Sequence, residues 1–255
     1  YSSATMTSKS LMKEVNLPKL ATIGDSAMCF FGYGLATTDN PYGELVMELP
    51  AVTSIDQYAF KSVRAQRVSL PNWANSITSG KYGIFDSAKI LVIDLPEVTG
   101  LARAMFTNAQ WEELNLPKCT SMGQDVFKSC KFESFELPIG ISSINYYCFH
   151  YCSYLKAFVI RRTNSVVTSS GPVFTGCYHI LGTTNSTSNP NGDKDGYIYV
   201  PAALLDTYKA TTNWSAYASQ FRALEDFTVD GTTTGALDWT KIEAANAAAV
   251  AEGGD

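Results

Sequence analysis

The residues of this 255-residue chain that could do chemistry are two histidines, six cysteines and a row of spaced carboxylates. A nucleophilic triad needs a histidine with an acid on one side and a hydroxyl or thiol on the other. His150 falls in the segment Phe149-x-x-Cys152, and His179 follows Cys177-Tyr178; both read as repeat turns. The sequence contains no GxSxG, HExxH or P-loop motif. Asn191-Gly192-Asp193-Lys194-Asp195-Gly196 has the oxygen-rich start of a calcium loop, but the twelfth position is Ala202 where a bidentate glutamate is needed. That stretch reads as a polar turn leading into Tyr197-Ile198-Tyr199. The expectation is no catalytic residue, no metal and no cofactor.

The carboxylates owe their spacing to a repeat. Leu-Pro recurs at Leu17, Leu49, Leu70, Leu95, Leu116 and Leu137, at intervals of 32, 21, 25, 21 and 21. An apolar residue follows at Ile23, Ile55, Ile77, Leu101, Met122 and Ile144, and then a large one at Met28, Phe60, Phe85, Phe106, Phe127 and Phe149. A degenerate seventh coil keeps Val173-Phe174-Thr175-Gly176-Cys177. Before each Leu-Pro lies a short alternating stretch such as Val46-Met47-Glu48-Leu49, which predicts one strand per coil with one face buried. Proline lacks an N–H and ends the ladder at the same place in each coil. Val52-Thr53-Ser54-Ile55 predicts a second short strand on the opposite wall, with the phenylalanines filling the centre. One coil cannot bury both its Leu and its Phe, so stability must be shared between stacked neighbours. The Leu-Pro segments are expected to form one continuous parallel sheet.

Five of the cysteines occupy this frame. Cys130, Cys152 and Cys177 stand three residues after a Phe, where other coils have Val63, Ala88 and Ala109. Cys119 matches Val52 and Val98, and Cys148 matches Ala59 and Val126. These are small apolar slots, so free buried thiols are expected, with a Cys152–Cys177 or Cys130–Cys152 cross-coil bond as the rival. Stacked inward columns do not converge, which argues against zinc.

Two insertions interrupt the rhythm, at 29–44 and at about 182–196, both turn-rich and expected at the surface. Residues 1–200 read as the solenoid of about seven coils, 201–225 as a helical C-terminal cap, and 226–255 as a linker and Ala-rich tail with Asp238 as helix N-cap. The net charge is −5 and no basic cluster exceeds Arg161-Arg162, which points away from nucleic acid. No apolar run is long enough to span a membrane.

The unit Leu116-Pro117-Lys118-Cys119-Thr120-Ser121-Met122-Gly123-Gln124-Asp125-Val126-Phe127-Lys128-Ser129-Cys130 resembles the BspA-like, or treponemal-type, leucine-rich repeat. Ile198-Tyr199-Val200-Pro201 through Trp214 and Ser215 is similar to the terminal coil and cap of that family, and Trp73 departs from its pattern. The resemblance covers about residues 15–225. It implies a β-rich α/β fold, a right-handed leucine-rich-repeat superhelix with a parallel sheet. It also implies a secreted or cell-surface bacterial protein, with adhesion to a protein or glycan on host or neighbouring cells. The family motif is structural throughout and carries over no binding residue.

Outward positions are where binding can be encoded without loss of fold. The expected ligand wall is therefore Glu48, Ser69, Asp94, Asn115 and Glu136 with Arg67 and Glu113 beside it. Its competitor is the first insertion, with Phe30, Phe31, Tyr33 and Tyr42 as an exposed anchor cluster, although these aromatics read first as a cap over the N-terminal coil, since that end needs cover. The function expected is noncatalytic binding by a monomer at a bacterial surface; the alternative is a bacteriophage tail or host-recognition protein with the same repeat. A glycosidase would need a carboxylate pair ~5–9.5 Å apart in a cleft, and the carboxylates here stand ~9.5 Å apart on an open wall.

Overall fold

The computed structural model describes residues 12–75 and 80–251. Ile77 of the repeat frame lies outside them. The described residues fall into two compact units, divided between Lys118 and Cys119.

In the first unit the strands preceding Leu-Pro are β1 (Glu14–Asn16), β3 (Val46–Glu48), β5 (Arg64–Ser69), β6 (Lys89–Asp94) and β8 (Glu113–Asn115). They form one parallel sheet in the order β1-β3-β5-β6-β8. On the other wall β2 (Thr22–Ile23) pairs with β4 (Ser54–Ile55), and β7 (Gly100–Leu101) follows in the fourth coil. The register brings Val15, Met47, Val68, Ile93 and Leu114 into one inward row. Leu49, Leu70 and Leu95 are fully buried, whereas Leu17 is exposed, because its coil has a described neighbour on one side only.

In the second unit β9 (Ser121–Met122) is followed by β10 (Ser134–Glu136), β11 (Ser143–Ile144), β12 (Ala157–Val159) and β13 (Thr168–Ser169). β14 (Tyr197–Val200) and β15 (Phe221–Ala223) complete a parallel sheet of order β10-β12-β14-β15, and β11 pairs with β13 on the other wall. The expected single continuous sheet is therefore corrected to two, one in each unit.

The phenylalanines stack as the repeat demands. Phe60, Phe85 and Phe106 lie with ring centroids 5.1 and 5.2 Å apart and planes within 9° and 7° of parallel. Phe127 and Phe149 repeat the pattern at 5.3 Å and 22°. These separations match the ~4.8 Å spacing of stacked strands. Backbone bonds tie each ring's residue to the next coil: Phe60 N donates to Ile84 O at 2.8 Å, and Phe127 N to Cys148 O at 2.9 Å. The turn that carries each large residue needs two left-handed backbones, two residues before it and two after. Ser26 and Phe30 flank Met28 in this way, Tyr58 and Ser62 flank Phe60, Ala104 and Asn108 flank Phe106, Asp125 and Ser129 flank Phe127, and Tyr147 and Tyr151 flank Phe149.

The first insertion is sewn down. Gly32 has φ 69°, and a Cβ there would lie 1.9 Å from Arg64 O, so only glycine fits. Gln66 Nε2 donates to Gly43 O and to Asn40 Oδ1. Tyr42 is buried, while Phe30 and Tyr33 are exposed. Trp73, the departure from the repeat pattern, is buried.

Beyond β13 come α1 (Tyr178–Leu181) and, after β14, a 3-10 turn at Ala202–Leu204 leading into α2 (Leu205–Ala210). Tyr208 and Trp214, both fully buried, meet the backbone of Val167: its N donates to Tyr208 Oη at 2.9 Å, and Trp214 Nε1 donates to its O at 2.7 Å. The last helix is α3 (Trp239–Ala251), and Asp238 Oδ1 accepts from Lys241 N as its N-cap.

All six cysteines are free. Cys152 Sγ donates to Phe127 O at 3.0 Å and Cys177 Sγ to Phe149 O at 3.2 Å, so each thiol bonds to the preceding coil. Burial pushes the Cys119 thiol up to about 11 and the Cys148 thiol further still. A thiol titration in denaturant is expected to find six groups per chain, and the folded chain to expose no more than Cys29. Recovering four or fewer would establish bridged pairs.

Candidate functional site: the outer sheet walls

In the first unit two outward rows run across the sheet. One is Glu14, Val46, Arg67, Val92, Glu113, and the other is Asn16, Glu48, Ser69, Asp94, Asn115. The register thus brings six of the seven expected wall residues together. Arg67 joins the two rows: its Nε donates to Glu48 Oε1 at 2.9 Å and its Nη2 to Asp94 Oδ2 at 3.1 Å. Asp94 also accepts from Ser69 Oγ at 3.3 Å and from Asn115 Nδ2 at 2.7 Å. Ser69 is outward in register yet buried, which corrects its place on an open wall. Its hydroxyl donates to Asp94 Oδ2, the same oxygen that Arg67 Nη2 holds. Glu48, Glu113 and Asn115 are exposed.

The wall is a charge-paired surface, with Glu48 and Asp94 both committed to the same guanidinium. Partly exposed pairs of this kind contribute little to stability but fix side chains in place.

Glu136 belongs to the second unit. Its register partners are Val159 and, through it, Tyr199. Glu136 Oε1 accepts from Arg161 Nε at 2.8 Å, and Arg161 Nη1 donates to Thr233 O at 2.7 Å and Gly235 O at 2.9 Å. Those carbonyls belong to the turn before α3, so Arg161 clips the tail onto the sheet. The outward residues Ala157, Val159, Tyr197 and Tyr199 are buried with Leu224 and Ile242, and Phe227, Leu237, Ala245 and Ala249 pack on them. The helix presents Ile242, Ala245 and Ala249 at helical spacing, and the alanines allow close approach. The outer wall of this unit is therefore filled by the chain's own tail. Tyr199 Oη is buried beneath it without a hydrogen-bond partner, and burial pushes that phenol well up.

A groove of about 470 Å³ runs beside α3, lined by Glu133, Ser134, Lys156, Trp239, Glu243 and Val250 among others. Asp195 lines it too and is buried. Its carboxylate takes His179 Nδ1 on one oxygen and Lys156 Nζ, 3.2 Å away, on the other. Burial alone would raise the Asp195 carboxyl, but the hydrogen bond and charge of His179, then Lys156, hold it below the ordinary value. His179 Nε2 faces Ser188 O at 2.9 Å. Both ring nitrogens thus face acceptors, and the buried histidine ties the second insertion to α1. Sequence reasoning missed its acid, because Asp195 sat in a stretch that reads as a polar turn.

Asn189 closes that insertion, its Nδ2 donating to Tyr178 O, Thr183 O and Asp193 O. Among the described residues no three His, Cys, Asp or Glu side chains converge as metal ligands. No described helix is long and apolar enough to cross a membrane.

A family model described as BspA type leucine rich repeat region matches the chain in six copies, within residues 45–156 and 81–189. No curated protein matches it.

Proposed function

We infer, from the premise that the chain belongs to the BspA-type leucine-rich-repeat family, that it is a noncatalytic adhesion module at a bacterial cell surface. The family's repeats are generally binding scaffolds, and solenoids bind along extended sheet faces. The ligand-facing wall is the outer sheet face of the first unit, with Glu48, Arg67, Asp94, Glu113 and Asn115 at its centre. One observation carries this choice: the same face of the second unit is apolar and filled by α3, whereas that of the first is polar, with Glu48, Glu113 and Asn115 exposed. The partner is a protein or glycan on a host or neighbouring cell, one that offers donors to Glu48 and Glu113. Glu136 supports the tail clip.

The test is a protein and glycan array probed with the purified chain, followed by the variant Glu48→Lys with Glu113→Lys. Both residues are exposed, so the variant should keep its melting temperature. Its affinity for the array hits should fall about tenfold or more, mainly through slower association. A folded variant that binds those hits unchanged removes the wall from consideration.

A further inference from the structure

The left-handed positions around each large core residue carry a second message. Most are Ser, Asn, Asp, Ala or Gly, residues that such turns accept at little cost. Around Phe149 both are tyrosine, Tyr147 at φ 60° and Tyr151 at φ 59°. A bulky side chain in this conformation is strained, and such strain collects at functional sites. Tyr151 packs over Gly176 of the next coil, where a Cβ would come within 2.3 Å of its Cδ1, yet the rings stay open to solvent: Tyr147 is 36% and Tyr151 47% exposed, and the adjoining Tyr146 is 40% exposed.

The rings form one assembly. His150 stacks on Tyr147 at 4.8 Å and 22° and on Tyr151 at 4.2 Å and 18°, while Tyr146 meets Tyr147 edge-on at 5.3 Å. The backbone beneath is held by the next coil, with Tyr151 N donating to Thr175 O at 2.8 Å and Tyr147 N to Pro172 O at 3.4 Å. The surround is polar. Tyr146 Oη donates to Gln124 Oε1 at 3.1 Å, and Ser170 Oγ donates to Asn145 Oδ1 at 3.1 Å. Asp125 Oδ1 stands 3.9 Å from His150 Nδ1.

We propose that Tyr146, Tyr147 and Tyr151 form a stacking platform for a neutral polysaccharide, a site separate from the sheet wall. The negative face of an aromatic ring attracts the weakly positive C–H bonds on the flat side of a pyranose. Gln124, Asn145 and Ser170 supply donors and acceptors for the ring hydroxyls. A protein partner would call for aromatic anchors inside a desolvated apolar surround, and here amides, hydroxyls and a carboxylate border the rings. The rings stand on turns of the surface, which suits units inside a long chain, each held weakly and many at once. The prior ordering of the rings by the stack and the backbone bonds lowers the entropy lost on binding.

The test is affinity gel electrophoresis of the full chain in gels containing hydroxyethylcellulose (a β-1,4-glucan), laminarin (a β-1,3-glucan) or amylose. The wild type should be retarded by at least one of them. Tyr147→Gly with Tyr151→Gly, which relaxes both left-handed turns, should weaken that retardation tenfold or more with the melting temperature retained. Tyr146→Ala provides a second variant that leaves both turns intact, and it too should weaken retardation. The Glu48→Lys, Glu113→Lys variant should migrate as the wild type, which keeps this site distinct from the wall. The proposal falls if no gel retards the wild type. It falls equally if the folded tyrosine variants are retarded as strongly as the parent, or if the tyrosines prove to matter only for a protein ligand.

Discussion

Replacing Phe127 by Ala should destabilise the second unit by about 3–5 kcal/mol. The ring is fully buried and touches aromatic neighbours on several sides: Phe149 at 5.3 Å, Phe135 at 4.7 Å and Phe132 at 6.4 Å. Truncation removes the transfer free energy of the ring and leaves a cavity. The surrounding coils cannot collapse into it, because their backbones are pinned at the ladder spacing by bonds such as Phe127 N to Cys148 O. Phe127→Leu, which refills part of the volume, should cost clearly less. Urea unfolding followed by tyrosine fluorescence and circular dichroism gives both numbers. A loss below about 1 kcal/mol for the alanine variant would mean that the stack is not the core.

A loss of about 1–3 kcal/mol is expected for Asp195→Ala, since a buried polar group left without its partner costs its desolvation. Lys156 is partly exposed and can turn to water, but His179 is enclosed and loses its acceptor. The pH dependence has a defined sign. The folded-state value of Asp195 lies below its unfolded one, so its contribution is complete above the ordinary carboxylate range of about 4. It is lost as pH falls through the depressed folded value. Asp195→Asn keeps the shape and removes the charge. The stability gap between wild type and this variant should therefore hold steady near pH 5 and narrow steadily below pH 4. A gap independent of pH from 5 to 2 would show that the carboxylate charge is irrelevant.

The coils were legible because Leu-Pro and the Phe that follows repeat at fixed spacing, and apolar spacing reports directly on an inward row. The second-wall strands and the free thiols followed from the same frame. Ser69 misled because an outward register position says nothing about the reach of its neighbours Arg67 and Asp94. The cover on the second wall had a signal in Ala157, Val159, Tyr197 and Tyr199, apolar where the first unit has Glu48, Arg67 and Asp94. The pairing of His179 with Asp195 had no such signal, since an insertion of irregular backbone brings them together. Nor do Tyr147 and Tyr151 announce left-handed turns, because tyrosine is not a residue that such turns favour.

The ladder also bears on how the chain reaches its fold. Val46 pairs with Arg67, Arg67 with Val92 and Val92 with Glu113, so each strand closes a loop of little more than twenty residues onto the coil before it. That separation does not grow along the chain, and adding coils leaves the closure entropy of each one unchanged. An insertion alters it only logarithmically. Between β12 and β14 the second insertion stretches the loop, with Ala157 pairing to Tyr197, yet doubling a loop's length costs only about 0.6 kcal/mol. A few well-placed bonds, such as those of Asn189 and Asp195, offset that amount. The architecture thus accepts long surface excursions between coils almost without penalty to the speed or completeness of folding.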